Sequence, residues 1–403
     1  MTVQTQANVA GNMADDDLPA RRRRNRIRHN ATQSAIVAAA IVLVVLFAFA
    51  VKEGLARHGI RFSFSFLRDA AGFDISEGKT VTLKDGVWPA LLNFTSDHLI
   101  AQAFVTGIFN TIKVAVLAIL LSTVLGTLLG VGRLSTNWVV RNLSFWCVEF
   151  VRNTPLLIQL VFWYFAVVLH FPPIAAAAKF YGVVISQQGL YFPVPTWQGG
   201  DSLLAVGAAT AFWVAILGVL FDRHGTVRWI CAGAVLLLGG MMFATGIVGL
   251  DVPVASKFQA RGGTSMSPEM AALLLAIVVN SASYIAEIVR GAIDALPKGQ
   301  WEAAASLGLT RRDTVNDIIL PQVFRVVLPS FGNQYISLTK NTALGIAIGY
   351  PELFNIYGTI ANQTGHSLEG IVIVMASYLI LSWAISAAVG WADRRMTRHG
   401  ASR

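Results

Sequence analysis

Long uninterrupted apolar runs constrain this chain more than any other feature. Windows of about 17–25 apolar residues, enough to cross about 30 Å of hydrocarbon as a helix, recur along it. The first runs from Ala35 to Val51, and seven more lie near 102–131, 144–170, 202–221, 229–250, 270–292, 325–349 and 370–392. Of the 403 residues, 55% are hydrophobic and only 13% charged, where soluble domains carry about 25% charged residues. The fold class expected is all-α, a polytopic helical membrane protein with about eight transmembrane helices. An outer-membrane barrel is excluded, because barrels are written as short alternating strands and not as continuous apolar runs.

Charge placement orients the spans. Residues 1–33 read as a basic tail ending in Arg21-Arg22-Arg23-Arg24-Asn25-Arg26-Ile27-Arg28. The apolar segment behind it reads either as an uncleaved anchor or as a signal peptide cut after Ala48-Phe49-Ala50; both leave the remainder of 34–101 outside. With the tail inside, alternation puts eighteen Lys and Arg in inside segments against nine outside, as the positive-inside rule asks. Both termini, 396–403 included, are then cytosolic. The net charge of +9 therefore sets topology and does not mark a nucleic-acid binder.

Catalytic signatures are missing. Gly78-Lys79-Thr80 resembles the end of a phosphate-binding loop, but Gly72 stands one residue too far upstream. Cys147 and Cys231 offer neither a disulfide framework nor metal spacing and are expected as buried packing residues. No metal site and no bound cofactor are expected. Gly126 and Gly130 form a GxxxG step, expected to let two helix backbones approach closely.

The most specific motif is the polar stretch from Glu302 to Pro321, EAAASLGLTRRDTVNDIILP. Gln300–Leu307 is rich in good helix formers, and Gly308 suits the left-handed residue that ends a helix. Thr310 with Asp313 suggests a capping-box-like start for a second helix. That second helix is expected to stop at Leu320, because Pro321 lacks the N–H to continue it. Two short helices at an angle make a rigid knob.

Glu302, Ala303, Ala304, Gly308, Ile318, Leu320 and Pro321 together match, position by position, the EAA loop of ABC-importer permeases. Glu149–Leu160 (EFVRNTPLLIQL), Tyr284–Ile293 with Pro297–Gln300, and Lys340–Leu344 resemble stretches of the polar amino-acid branch, the histidine/arginine/glutamine type. The likeness covers 102–170 and 269–395, which would form a five-span type I permease core with its coupling loop at 300–321. The extra N-terminal span and the insertion 171–268, expected to hold two more transmembrane helices, resemble the layout of general L-amino-acid permeases of the AapQ/BztB type.

The resemblance implies a non-catalytic subunit of a binding-protein-dependent importer in the bacterial inner membrane. Its implied partners are a cytosolic ATPase dimer that uses ATP and Mg, a second related permease and a periplasmic amino-acid-binding protein. A permease for opines or dicarboxylates is the nearest alternative, and an ion-coupled secondary transporter is the rival from another class. For the substrate path, Lys340 with Asn341 and Thr342 is the candidate set, since an intramembrane cation defaults to a functional reading; Lys340 snorkelling outward or pairing with an acid on another helix is the alternative. Glu149 with Arg152 and Glu287 with Arg290, each three apart on a helix, are expected as structural ion pairs in preference to substrate contacts. Lys113 has no evident partner.

Overall fold

The computed structural model of the chain describes residues 31–47, 49–50, 53–54, 62–83, 89–200, 202–221, 225–310 and 313–398. The Arg21–Arg28 run, most of the 1–33 tail, the Arg311-Arg312 pair and 399–403 lie outside the described residues. Two compact units divide the chain at Phe66. The first contains helix α1, Ala31–Phe47, an apolar helix with its side chains exposed along its length.

The second unit opens with a hairpin of β1 (Lys79–Leu83) and β2 (Pro89–Asn93). Helix α2, Ile100–Arg133, follows; its 34 residues make a rod about 51 Å long at 1.5 Å per residue. Helices α3 (Trp138–Arg152) and α4 (Leu156–Phe162) come next, and the chain axis turns through 104° between them. The bend is written locally. Pro155 disfavours helical backbone at Thr154, and the Gln159 amide donates to the carbonyls of Val151 (2.8 Å) and Thr154 (2.9 Å) that the break frees.

The insertion carries strands that the all-α expectation lacks. β3 (Ala178–Phe180), β4 (Val183–Ser186) and β5 (Gly189–Phe192) join β10 (Thr264–Met266) in an antiparallel sheet ordered β10-β5-β4-β3. β6 (Val194–Trp197) pairs with β7 (Val248–Asp251), and β8 (Val254–Ala255) with β9 (Ala260–Arg261). These strands are two to four residues long, below the length at which composition separates a strand from a loop. Between them α5 (Leu203–Phe221) and α6 (Gly225–Ala244) pack on each other; a Cβ on Gly218 would meet the Cys231 sulfur at 2.5 Å. Cys147, expected inside, is exposed on α3: an apolar residue on an apolar helix need not face protein.

Helix α7, Pro268–Asp294, is the centre of the unit. Ser267 caps it by accepting from the Met270 N–H at 3.1 Å, and Pro268 occupies the first turn, where no N–H is needed. Of its apolar window 72% is buried, against 33% for α2, so neighbours surround α7 on nearly every side. Gly126 and Gly130 are where α7 crosses α2. A Cβ at Gly126 would come within 2.7 Å of the Ala282 carbonyl, and one at Gly130 equally close to that of Ala286.

Helix α8, Lys298–Ser306, ends as expected at Gly308, whose φ is +71°. The N–H of Leu309 reaches the Ala304 carbonyl and that of Gly308 the Ala305 carbonyl, a Schellman closure. Thr310 Oγ1 accepts from the Asp313 N–H, starting the next helix as its sequence suggests. Pro321 does not stop that helix. A π-helical stretch, Thr314–Ile319, runs straight into α9, Leu320–Asn341, with Pro321 in the first turn of α9. There the ring breaks no hydrogen bond the α-helix requires. A 3₁₀ segment, Thr342–Ile348, closes at left-handed Gly349; α10 (Leu353–Thr364) and α11 (Ser367–Arg398) complete the chain.

By length and composition, three described helices can cross a bilayer: Ile100–Arg133, Pro268–Asp294 and Ser367–Arg395. The bent α3–α4 pair makes a fourth if it is one span, and the apolar helices Ala31–Phe47, Leu204–Val219 and Trp229–Ala244 are shorter. The expected 325–349 span falls largely on α9, which contains Pro329 and several polar side chains.

Candidate substrate cavity and the ion network beside it

Polar residues at helical spacing inside apolar helices build one cavity. On α9, Gln334, Ser337 and Asn341 recur at three and four residues and so share a face; on α7, Asn280 and Tyr284 do the same. Both faces meet the α3–α4 bend, Arg152–Leu156, around a cavity of about 520 Å³ that Leu344 also lines. Pockets of about 300–1,000 Å³ hold small organic ligands, so an amino acid fits with room for water. Among the described residues Arg152 is the one charged residue of the lining, beside amides, hydroxyls and a few apolar side chains.

The residues expected for the path divide. Asn341 lines the cavity. Thr342 is buried beside it, its hydroxyl donating to the Thr339 carbonyl at 2.7 Å. Lys340 is exposed and does not line the cavity. A helix turns about 100° per residue, so neighbours in sequence do not share a face. Sequence reasoning missed Asn280, Gln334 and Ser337, whose signal was their spacing.

The two expected ion pairs exist as parts of a larger network. Glu287 accepts from Arg290 Nη2 at 2.5 Å through one oxygen and from Arg133 Nη1 at 2.6 Å through the other. Arg290 also holds Asp294 at 2.6 Å. Glu149 lies 3.5 Å from Arg133 and 4.0 Å from Arg152. Arg133 thus ties α2 to α3 and α7. The network sits at the end of α7 that leads directly into α8.

On the knob itself the motif residues face different ways. Glu302, Ala303 and Gly308 are exposed, Ala304 is fully buried, and Ile318 and Leu320 are partly buried. Gln322 donates to Gln300 at 3.3 Å and braces the two arms. Pro321 sits in the first turn of α9.

At the opposite end of α2 and α7, Lys113 does have a partner. Glu77 pairs with it at 2.5 Å and also accepts from the Ser267 N–H at 3.3 Å. Asn110 donates to the carbonyls of Glu77 and Pro351, both at 2.8 Å. Nearby, Glu352 is fully buried and caps α10, accepting from the Phe354 and Asn355 N–H groups and from the Tyr378 hydroxyl. Burial pushes its carboxyl up to about 7, although those hydrogen bonds pull the other way.

Residues 122–398 match the family described as "Binding-protein-dependent transport system inner membrane component". The chain belongs to that family of permeases. The permease is 38% identical over 357 residues to the putative amino-acid ABC transporter permease protein YhdX of Escherichia coli K12, covering 85% of this chain and 87% of that one. It is 36% identical to the general L-amino acid transport system permease protein AapQ of Rhizobium johnstonii, covering 85% of each. It is 30% identical to the glutamate/glutamine/aspartate/asparagine transport system permease protein BztB of Rhodobacter capsulatus, over 82% of this chain and 84% of that one. Each of these three matches covers more than four fifths of both chains.

Proposed function

We propose that the permease moves L-amino acids inward across the bacterial inner membrane through the cavity at the α3–α4 bend. It performs no chemistry; an ATPase dimer docks on the knob formed by 300–321 and supplies the work. Glu302 and Ala303, exposed on α8, would meet that partner, while Ala304, Ile318 and Leu320 seat the knob on its own subunit. Gly308 sets the angle between the arms, and Pro321 starts α9 without a break. A binding protein delivers the substrate, and a second related permease completes the pore. Eight spans with both termini cytosolic accommodate the charge pattern, and place the knob on the ATP side.

One observation carries this reading. The polar cavity and the knob hang on the same two helices, α7 and α9, so movement at one is transmitted to the other. Named relatives of matching layout are amino-acid permeases, which supports the substrate class. Replacing Ser337 by Trp should fill the cavity and stop L-glutamine uptake by vesicles that hold the full transporter, with membrane insertion and ATPase binding retained. Normal uptake by S337W would refute the cavity as the path.

A further inference from the structure

We infer that Arg152 reads the substrate's carboxylate, and that this makes the cavity selective for amino acids with neutral or acidic side chains. The inference rests on the cavity being the path, and adds which end of the substrate it grips and which charge class it admits.

The case begins with how poorly Arg152 is satisfied. A guanidinium carries five N–H donors in a rigid fork and stays charged. Arg133 and Arg290 grip Glu287 at 2.6 and 2.5 Å, so both oxygens of that carboxylate are taken. Arg152 approaches Glu287 only to 3.6 Å and Glu149 to 4.0 Å, beyond hydrogen-bond length. Its Nε is buried with no partner, and among the described residues its guanidinium makes no hydrogen bond. A buried Nε–H left without an acceptor is costly, while the two Nη groups, on a side chain one third exposed, stay open to a ligand.

The geometry turns that deficit toward the cavity. Arg152 ends α3 at the 104° bend and lines the cavity. Its guanidinium carbon lies 5.6 Å from the centre of the Tyr284 ring, another wall of the cavity. Stacking on Tyr284 orients the fork without using its N–H groups. A carboxylate entering the cavity can take two parallel N–H bonds from it, the strongest pairing available to either partner. The amide oxygens of Asn280, Gln334 and Asn341 can then accept from the substrate ammonium. Among the described residues no carboxylate lines the cavity, so a cationic side chain finds no counter-charge and meets Arg152 as a like charge. A neutral or acidic side chain meets no such penalty.

The test is titration of the purified, nucleotide-free transporter with L-glutamine, L-glutaminamide and L-arginine. The amide keeps the side chain and ammonium but lacks the carboxylate. The wild-type protein should bind L-glutamine at least tenfold more tightly than L-glutaminamide or L-arginine. R152Q should lose that preference, binding L-glutamine and L-glutaminamide alike, and R152K should restore part of it. R133Q, which loosens the Glu287 network, should keep the preference even where it lowers thermal stability, as a merely structural Arg152 would not predict. Equal binding of glutamine and its amide by the wild type, no detectable binding of either, or a preference surviving in R152Q would each overturn the assignment. If S337W blocks transport while R152Q keeps its preference, only the role of Arg152 fails; if S337W transports normally, the cavity itself is wrong.

Discussion

Gly308 offers the sharpest separation of local geometry from partner contact. Its φ is +71°, and a Cβ built there finds nothing within 4 Å. Replacement therefore creates no clash within this subunit, and only the backbone conformation resists it. Holding an L-residue left-handed costs about 1–2 kcal/mol, or about five- to thirtyfold in the population of the correctly angled knob at 1.4 kcal/mol per factor of ten. Asn tolerates this conformation best among residues with a Cβ, so G308N should sit near wild type, G308A lower and β-branched G308V lowest. Uptake of L-glutamine by vesicles energised with ATP should follow that order, as should co-purification of the ATPase, while the amount of permease in the membrane stays constant. G308D adds a charge to the same geometry. Since Asp also tolerates the conformation better than Ala, a loss in G308D beyond that of G308A reports on the docking surface and not on the turn. Normal uptake and ATPase retention by both G308V and G308D would refute the knob as the point where work enters.

Two further outcomes follow from packing and burial. G126A should lower the thermal stability of the purified protein by about 1–3 kcal/mol, the range for overpacking a filled core, because the Ala282 carbonyl at 2.7 Å is backbone and cannot turn aside; G291A, with nothing within 4 Å, should leave it unchanged or raised, and equal melting temperatures for the two would contradict the helix contact. Glu352 has a folded carboxyl raised to about 7 from an ordinary 4.5, so its contribution to stability is fully present below about 4.5 and is lost as pH rises through 7. At about 1.4 kcal/mol per pH unit this amounts to about 3 kcal/mol. Melting curves from pH 5 to 8 should show the slope in the wild type and a flatter profile in E352Q; parallel profiles would refute it.

Reading the chain for its fold succeeded wherever the information was local. Gly308, the Thr310–Asp313 start and the Gly126–Gly130 step each depend on a few consecutive residues, and each stands in the structure where its chemistry put it. The short strands of the insertion were not legible, because runs of two to four residues have no period to detect. Pro321 misled for a related reason: a proline weakens a helix interior, as Pro329 does in α9, but costs nothing in a first turn, and only the backbone before it decides which it occupies. Lys113 looked unpartnered because Glu77 lies thirty-six residues away.

The apolar runs and the 302–321 motif alone determined that this chain is a helical membrane protein with a two-helix knob, because hydrocarbon thickness and the geometry of a helix end act on contiguous residues. Which polar groups share the interior was settled only when α3, α7 and α9 came together. Side-chain direction rotates by about 100° with each helical residue, so Lys340, beside Asn341 in the chain, lies outside the cavity, and Arg152, nearly two hundred positions earlier, lies within it. Charge satisfaction is likewise a sum over neighbours in space: whether an arginine is sated or open to a ligand depends on which carboxylates packing leaves to it.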